Sequence, residues 1–337
     1  MSTPTPTILS GIKPSGQPTL GNYLGAYLPF SRFLAKRTHN VFMMVADHHA
    51  ITVRQDPKEL TENTYAIAAW YIASGLNPDD CTLFVQSHVP EHAQLGWILT
   101  TFTQMGELAR MTQYKDKSKG ENEAVGAGLF MYPSLMAADI LLYDTTEVPV
   151  GDDQTQHVEL CRDIATRMNN LYGPDTFVLP KAVKPVAAQR VRDLQNPLKK
   201  MSKSEAGEGG CIMLEDETSA ITKKIKRAVT DTLAEVAYDP ANQPGLANLI
   251  EILAACSHRT PKEVVKEFKG SQYGPLKGAV AEAVVQTLEP VQAEYAKLMA
   301  DKAELQNILA KGAKKAREKA AQTLGRVMTK VGYVLPR

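Results

Sequence analysis

Lys200-Met201-Ser202-Lys203-Ser204 puts two ammonium groups and two hydroxyls into a stretch bounded by Pro197 and the glycines of 207–210. These side chains supply charge and hydrogen-bond donors to a polyphosphate, and the flanking Pro and Gly predict a loop that can close late on a ligand. A solvated Lys/Ser surface loop has the same composition. Near the start of the chain, residues 10–26 (SGIKPSGQPTLGNYLGA) follow the apolar pair Ile8-Leu9 and carry Gly and Pro through a turn. Thr19 stands where a helix N-cap belongs. A strand, a glycine-bearing turn and an open helix N-terminus present unpaired N–H groups and the positive end of the helix dipole, which suits phosphate. Taken alone, the stretch fits a strand–loop–helix connection without a ligand equally well.

A third group lies in the apolar run 128–143. Tyr132, Met136 and Asp139 at i, i+4 and i+7 share one helical face. Asp139 is set among Ala137, Ala138, Ile140, Leu141 and Leu142, where an ionised carboxylate is costly unless something donates to it. It either bonds nearby backbone or serves a donor on a ligand. Gly151-Asp152-Asp153-Gln154 follows the short run EVPV and opens a helical pattern. The two acids fit helix-capping roles, and they equally fit acceptors at the carboxyl end of a sheet. Asp47-His48-His49 has the composition of a metal or catalytic cluster, but no third ligand pattern accompanies it, so no metal site is assigned.

The elements that must position these residues follow from apolar spacing. Ile8-Leu9, the continuous run 41–46 (VFMMVA), 82–86 (TLFVQ) and 147–150 (EVPV) read as strands, the middle two of the type buried on both faces. Helical patterns follow the first loop to about Lys36, then cover 57–74 with a Gly75 stop, 92–111, and 132–143, and another starts near Asp152. Alternating strand and helix predicts an α/β, doubly wound parallel sheet of the Rossmann-like nucleotide-binding kind. Residues 115–123 (KDKSKGENE) read as a surface loop. From Thr218 onward helical patterns rich in Ala, Lys and Glu dominate, with turns near Pro240, Pro261 and Gly274-Pro275, so a C-terminal helical domain is expected. The boundary is placed at 217/218, with the last helices free to pack back on the first unit. The last helix is locally basic, with Lys311, Lys314, Lys315, Arg317, Lys319 and Arg326.

At 337 residues the chain is long enough for two such units. A formal net charge of +1 argues against a protein coated in nucleic acid but leaves a local basic surface open. The four cysteines are far apart and form no CxxC pair, which suits reduced, buried thiols and the cytoplasm. The most apolar region is broken by Pro133 and Asp139 and is too short to span a bilayer.

KMSKS is also the second signature of the class I aminoacyl-tRNA synthetases, and Thr19-Leu20-Gly21-Asn22 resembles a variant of their first, HIGH-type signature. Read in order, KPSGQPTLGNYLGA, VADHHAIT, FVQSHVPEHAQLGW, MYPSLMAADILLY and VPVGDDQTQH resemble the bacterial tryptophanyl-tRNA synthetase family. RAVTDT at 227–232 and the helical tail extend the resemblance. It implies activation of tryptophan with ATP to the adenylate plus pyrophosphate, then transfer to tRNA, with Mg²⁺ arriving on ATP, a homodimer and anticodon recognition by the helical region.

The resemblance also implies roles residue by residue. Thr19, Asn22, Lys200 and Lys203 would stabilise the reacting phosphates. Lys13, Pro14, Ser15, Gly21, Asn22, Gly151, Asp152, Asp153, Val191, Lys200, Met201, Ser202, Lys203 and Ser204 would hold ATP. Asp139 would receive the indole N–H of tryptophan, with Met136 on the ring, Tyr132 and Gln154 toward the amino group, and His49 lining the site. Two positions depart from the family pattern: Lys13 replaces a common Gln, and Leu9 stands where an aromatic often flanks the pocket. The sister tyrosyl-tRNA synthetases and a non-catalytic paralogue that binds tRNA or tryptophan are the alternatives.

Overall fold

The structure is a computed structural model, which describes residues 5–112, 126–184, 191–202 and 209–335. The expected surface loop at 115–123 lies outside them, as do Lys203 and Ser204. Strands β1 (Thr7–Ile12), β2 (Asn40–Val45), β3 (Thr82–Val85), β4 (Glu147–Pro149) and β5 (Lys181–Val183) form one parallel sheet in the order β3-β2-β1-β4-β5. The order reverses between β1 and β4, and a crevice opens at the carboxyl ends of that pair, the ligand site of open α/β sheets. β5 escapes a sequence reading because its three residues are largely exposed and make no apolar run.

Alternate side chains of the central strands enter two separate cores, as pleating requires. Ile8, Met43 and Leu83 face one core and Leu9, Met44 and Phe84 the other. Because both faces are covered, β2 is apolar from Val41 to Val45 and shows no polar alternation there.

After β1 the chain forms α1 (Leu20–Asn22), a π-helical turn over Tyr23–Tyr27, and α2 (Leu28–Leu34). Then come α3 (Asp47–Ala50) and α4 (Pro57–Ala73), the latter capped by Asp56 and ended by Gly75 at φ +94°. The single helix expected over 92–111 is two, α5 (Glu91–Phe102) and α6 (Met105–Ala109). Thr103 is extended there, and Gln104 forms a reciprocal cap with Glu107 that starts the second helix. The helix carrying Asp139, α7 (Ala127–Leu141), starts earlier than expected, and α8 (Asp152–Tyr172) follows β4.

Helices α9 (Thr218–Lys226), α10 (Pro244–Cys256), α11 (Pro261–Phe268), α12 (Tyr273–Ala300) and α13 (Lys302–Val331) complete the chain. Gly274-Pro275 is not a turn but the first turn of α12, where the missing proline N–H has no partner to lose. The first core runs without a break from Ile8 and Leu20 into Leu249, Ile250 and Val280. Helix α13 crosses back over the sheet edge: a Cβ on Gly312 would lie 1.7 Å from the Leu83 carbonyl oxygen, so helix and strand backbones touch. Among the described residues, no helix is long and apolar enough to cross a membrane.

Candidate active site

A cavity of about 380 Å³ sits at the β1/β4 reversal. Its walls include Leu9 and Lys13 from β1 and its exit, His49 from α3, Tyr132, Met136 and Asp139 from α7, and Gly151 and Gln154 from the β4–α8 junction. The i, i+4, i+7 spacing on α7 thus delivers its three side chains to one wall.

Asp139 is only 1% exposed, and it is bonded on both oxygens. Gln86 Nε2 at 2.7 Å and His92 Nδ1 at 2.6 Å reach Oδ1, and His49 Nε2 at 2.6 Å reaches Oδ2. Burial alone would push this carboxyl upward. The neighbouring His49 and His92 outweigh it and hold the group well below the usual carboxylate range. A carboxylate has about four acceptor sites, so three donors leave one.

Several partners escape a sequence reading. Gln86 closes β3 in a short 3₁₀ turn, and His92 lies in the first turn of α5; both are buried. Their only sequence signal is that they are polar residues beginning or ending apolar runs. His92 Nε2 in turn lies 2.7 Å from the Tyr143 hydroxyl, and the Tyr132 hydroxyl lies 2.7 Å from His157 Nε2. Asp47 Oδ1 accepts from the backbone N–H groups of His48 and Ser87, so it ties α3 to the β3 exit. Among the described residues, no group of three His, Cys, Asp or Glu is placed to hold a metal ion.

The phosphate-type loop leaves β1 at Lys13, turns with Ser15 N–H donating to the Lys13 carbonyl at 2.8 Å, and passes Gly16 at φ +76°. Pro14 is buried and Ser15 exposed. Thr19 is the N-cap as expected. Its hydroxyl oxygen accepts from Asn22 N–H at 3.2 Å, while Asn22 Oδ1 accepts from Thr19 N–H at 2.9 Å.

The segment after the KMSKS stretch pairs with this loop. Leu20 N–H donates to Ile212 at 2.9 Å and Leu214 N–H to Pro18 at 3.0 Å. Gly21 faces Met201: a Cβ there would lie 3.5 Å from Met201 Cβ. Val191 accepts from Met201 N–H at 3.1 Å, and both side chains are buried. Asn248 of α10 clamps the next residue, accepting from Arg192 N–H at 2.8 Å and donating to its carbonyl at 3.0 Å. Lys200 is exposed and Ser202 half-buried. The backbone of Asp152 and Asp153 opens α8. The structure therefore brings one set of expected residues around a single cavity. It brings a second set, Thr19, Gly21, Val191 and Met201, into the adjoining contact between the two signature stretches.

The chain matches the family of tRNA synthetases class I (W and Y) over residues 1–289. It is 51% identical over 327 residues to the tryptophan–tRNA ligase of Clostridium perfringens, covering 97% of each chain. Its structure is similar to tryptophanyl-tRNA synthetase from Mycoplasma pneumoniae, with a TM-score of 0.84 and 34% identity over 98% of both chains. It is similar as well to the Campylobacter jejuni enzyme complexed with ADP and tryptophan, with a TM-score of 0.82 and 35% identity over 97% of this chain and 99% of that one. A parallel sheet with a cavity at its switch point, two signature stretches in contact beside it, and these matches along nearly its whole length make the chain a member of the class I tRNA synthetases of the tryptophan and tyrosine group.

Proposed function

We propose that the protein is a tryptophan–tRNA ligase: it forms tryptophanyl-adenylate and pyrophosphate from L-tryptophan and ATP, then passes the tryptophanyl group to the 3′ end of tRNA(Trp). The observation that carries this reading is the buried, ionised Asp139 in the wall of the cavity, with one acceptor site left. Indole N–H donates and cannot accept, so a fixed carboxylate suits it, and a side chain without the N–H leaves the acceptor unsatisfied.

In this reading Met136 packs on the ring, His49 lines the pocket, and Tyr132 and Gln154 meet the ammonium group. Gly151, Asp152, Asp153 and Val191 take the adenosine side. Lys13, Pro14, Ser15, Gly21 and Asn22 take the phosphates, with Met201, Ser202 and Ser204 closing from the second stretch. The substrate carboxylate is already ionised at neutral pH and attacks the α-phosphorus as the bond to pyrophosphate breaks, so no general base is required. What the protein supplies is alignment and stabilisation of the leaving pyrophosphate, from Thr19, Asn22, Lys200 and Lys203. Mg²⁺ would be held mainly by the phosphates and water.

Residues 1–217 form the catalytic unit and 218–337 the tRNA-reading one, for which the exposed Lys311, Lys314 and Lys315 offer backbone contacts. The chain acts in the cytoplasm as a homodimer. Support for pairing is the apolar groove lined by Ile51, Trp97, Met131 and Leu135; Trp97 itself is 63% exposed. Light scattering should give a mass near twice 36.9 kDa. Tryptophan-dependent exchange of pyrophosphate into ATP tests the function, and exchange driven mainly by tyrosine would overturn it.

A further inference from the structure

The two oxygens of Asp139 are not equivalent. Gln86 and His92, which bond Oδ1, are fully buried and take no part in the cavity wall. His49, which bonds Oδ2, lines the cavity. With about two acceptor sites per oxygen, Oδ1 is filled by the protein and the remaining site is on Oδ2, toward the cavity.

His92 is held from behind. Its Nε2 lies 2.7 Å from the Tyr143 hydroxyl, and placing the ring proton on Nδ1 satisfies both neighbours: Tyr143 O–H donates to Nε2, and Nδ1–H donates to Asp139. Tyr143 is itself fixed, stacked on Phe42 at a centroid distance of 4.3 Å and edge-on to Phe84 at 5.7 Å. Turning the carboxylate would break two bonds at Oδ1 and leave two buried donors unpaired.

We infer that His92, oriented by Tyr143, is a positioning residue for amino-acid selection: with Gln86 it saturates Oδ1 and so presents a single open acceptor on Oδ2 to the substrate. The inference rests on the reading that Asp139 receives the indole N–H. Residues from the β3 exit, α5 and the end of α7 then set which amino acid is accepted, although none of the three touches it.

The test compares kcat/KM in pyrophosphate exchange for L-tryptophan and for its benzothiophene isostere, which has sulfur in place of N–H. His92→Leu should reduce the preference for tryptophan about tenfold or more, and Tyr143→Phe about threefold, with KM for ATP within about twofold of the original. His92→Asn, which keeps a donor near the Nδ1 position, should retain most of the preference. A merely structural role would instead lower both substrates together, and an unchanged preference in a folded His92→Leu protein would overturn the inference. If that variant does not fold, Tyr143→Phe decides: a reduced preference supports the inference and an unchanged one overturns it. Asp139→Ala separates the two levels. Should it abolish the preference while His92→Leu and Tyr143→Phe leave it intact, only the positioning role fails; should it too leave the preference intact, the reading of Asp139 fails.

Discussion

A carboxylate this deeply buried stays charged at Asp139 because three donors converge on it from three separate elements. The surrounding Ala and Leu residues make the need for donors legible in the sequence, but not their identity. Gln86, His92 and His49 are brought to Asp139 only by the fold, and nothing in local spacing links them. The depressed pKa has a direct consequence for stability. A carboxyl whose folded value lies below its usual 3.8 stabilises the protein fully above that value, and loses the contribution as pH falls through the folded one. The unfolding free-energy gap between the parent and Asp139→Asn should therefore be level near pH 5. It should narrow below about pH 3.8, by up to about 1.4 kcal/mol per pH unit. Urea unfolding across that range checks it, and a gap that stays level down to about pH 3 would show that the charge contributes nothing.

At the scale of elements, four of the five strands and most helices follow from apolar runs and caps, because both faces of the central sheet are buried and Thr19 caps as its type predicts, whereas the strand order is set only by the fold. The π-helical turn after α1 and the break at Thr103 leave no such mark, since both depend on packing and on one reciprocal cap. The clamp of α10 on Arg192, in the segment that pairs with the second signature stretch, is equally silent in the sequence: an Asn inside an apolar helix reads as a defect. Asn248 instead satisfies both backbone groups of Arg192, next to Val191. Asn248→Leu should cost about 1–3 kcal/mol for the backbone groups left unpaired. It should also raise KM for ATP more than KM for tryptophan, because Val191 and Met201 lose their anchor while the Asp139 cavity does not. Equal changes in both constants in exchange assays would show that Asn248 supports the fold alone.

For the whole molecule, the helical tail is legible as helix and as able to pack back on the first unit, but not as a cover for one particular strand edge. The basic stripe on α13 reads as free charge in the sequence, whereas Lys319 and Arg326 are paired with Asp144 and Arg317 lies 3.5 Å from Glu91. Half of the stripe is thus spent on docking. The closest approach is at Gly312, where any side chain meets the backbone of β3. Gly312→Ala should force helix and strand apart and destabilise the protein by about 3 kcal/mol or more, seen as a fall in the thermal midpoint, while Gly325→Ala on the same helix, where a Cβ would meet open space, should be nearly neutral. This contact also orders events during synthesis. Strands β1, β2 and β3 are complete by residue 85, but the helix that shields the β3 edge is not translated until residues 302–331. A nascent chain therefore carries an uncovered, strand-pairing edge through most of its elongation, and a ribosome that stalls before α13 releases a sheet open to pairing with its neighbours.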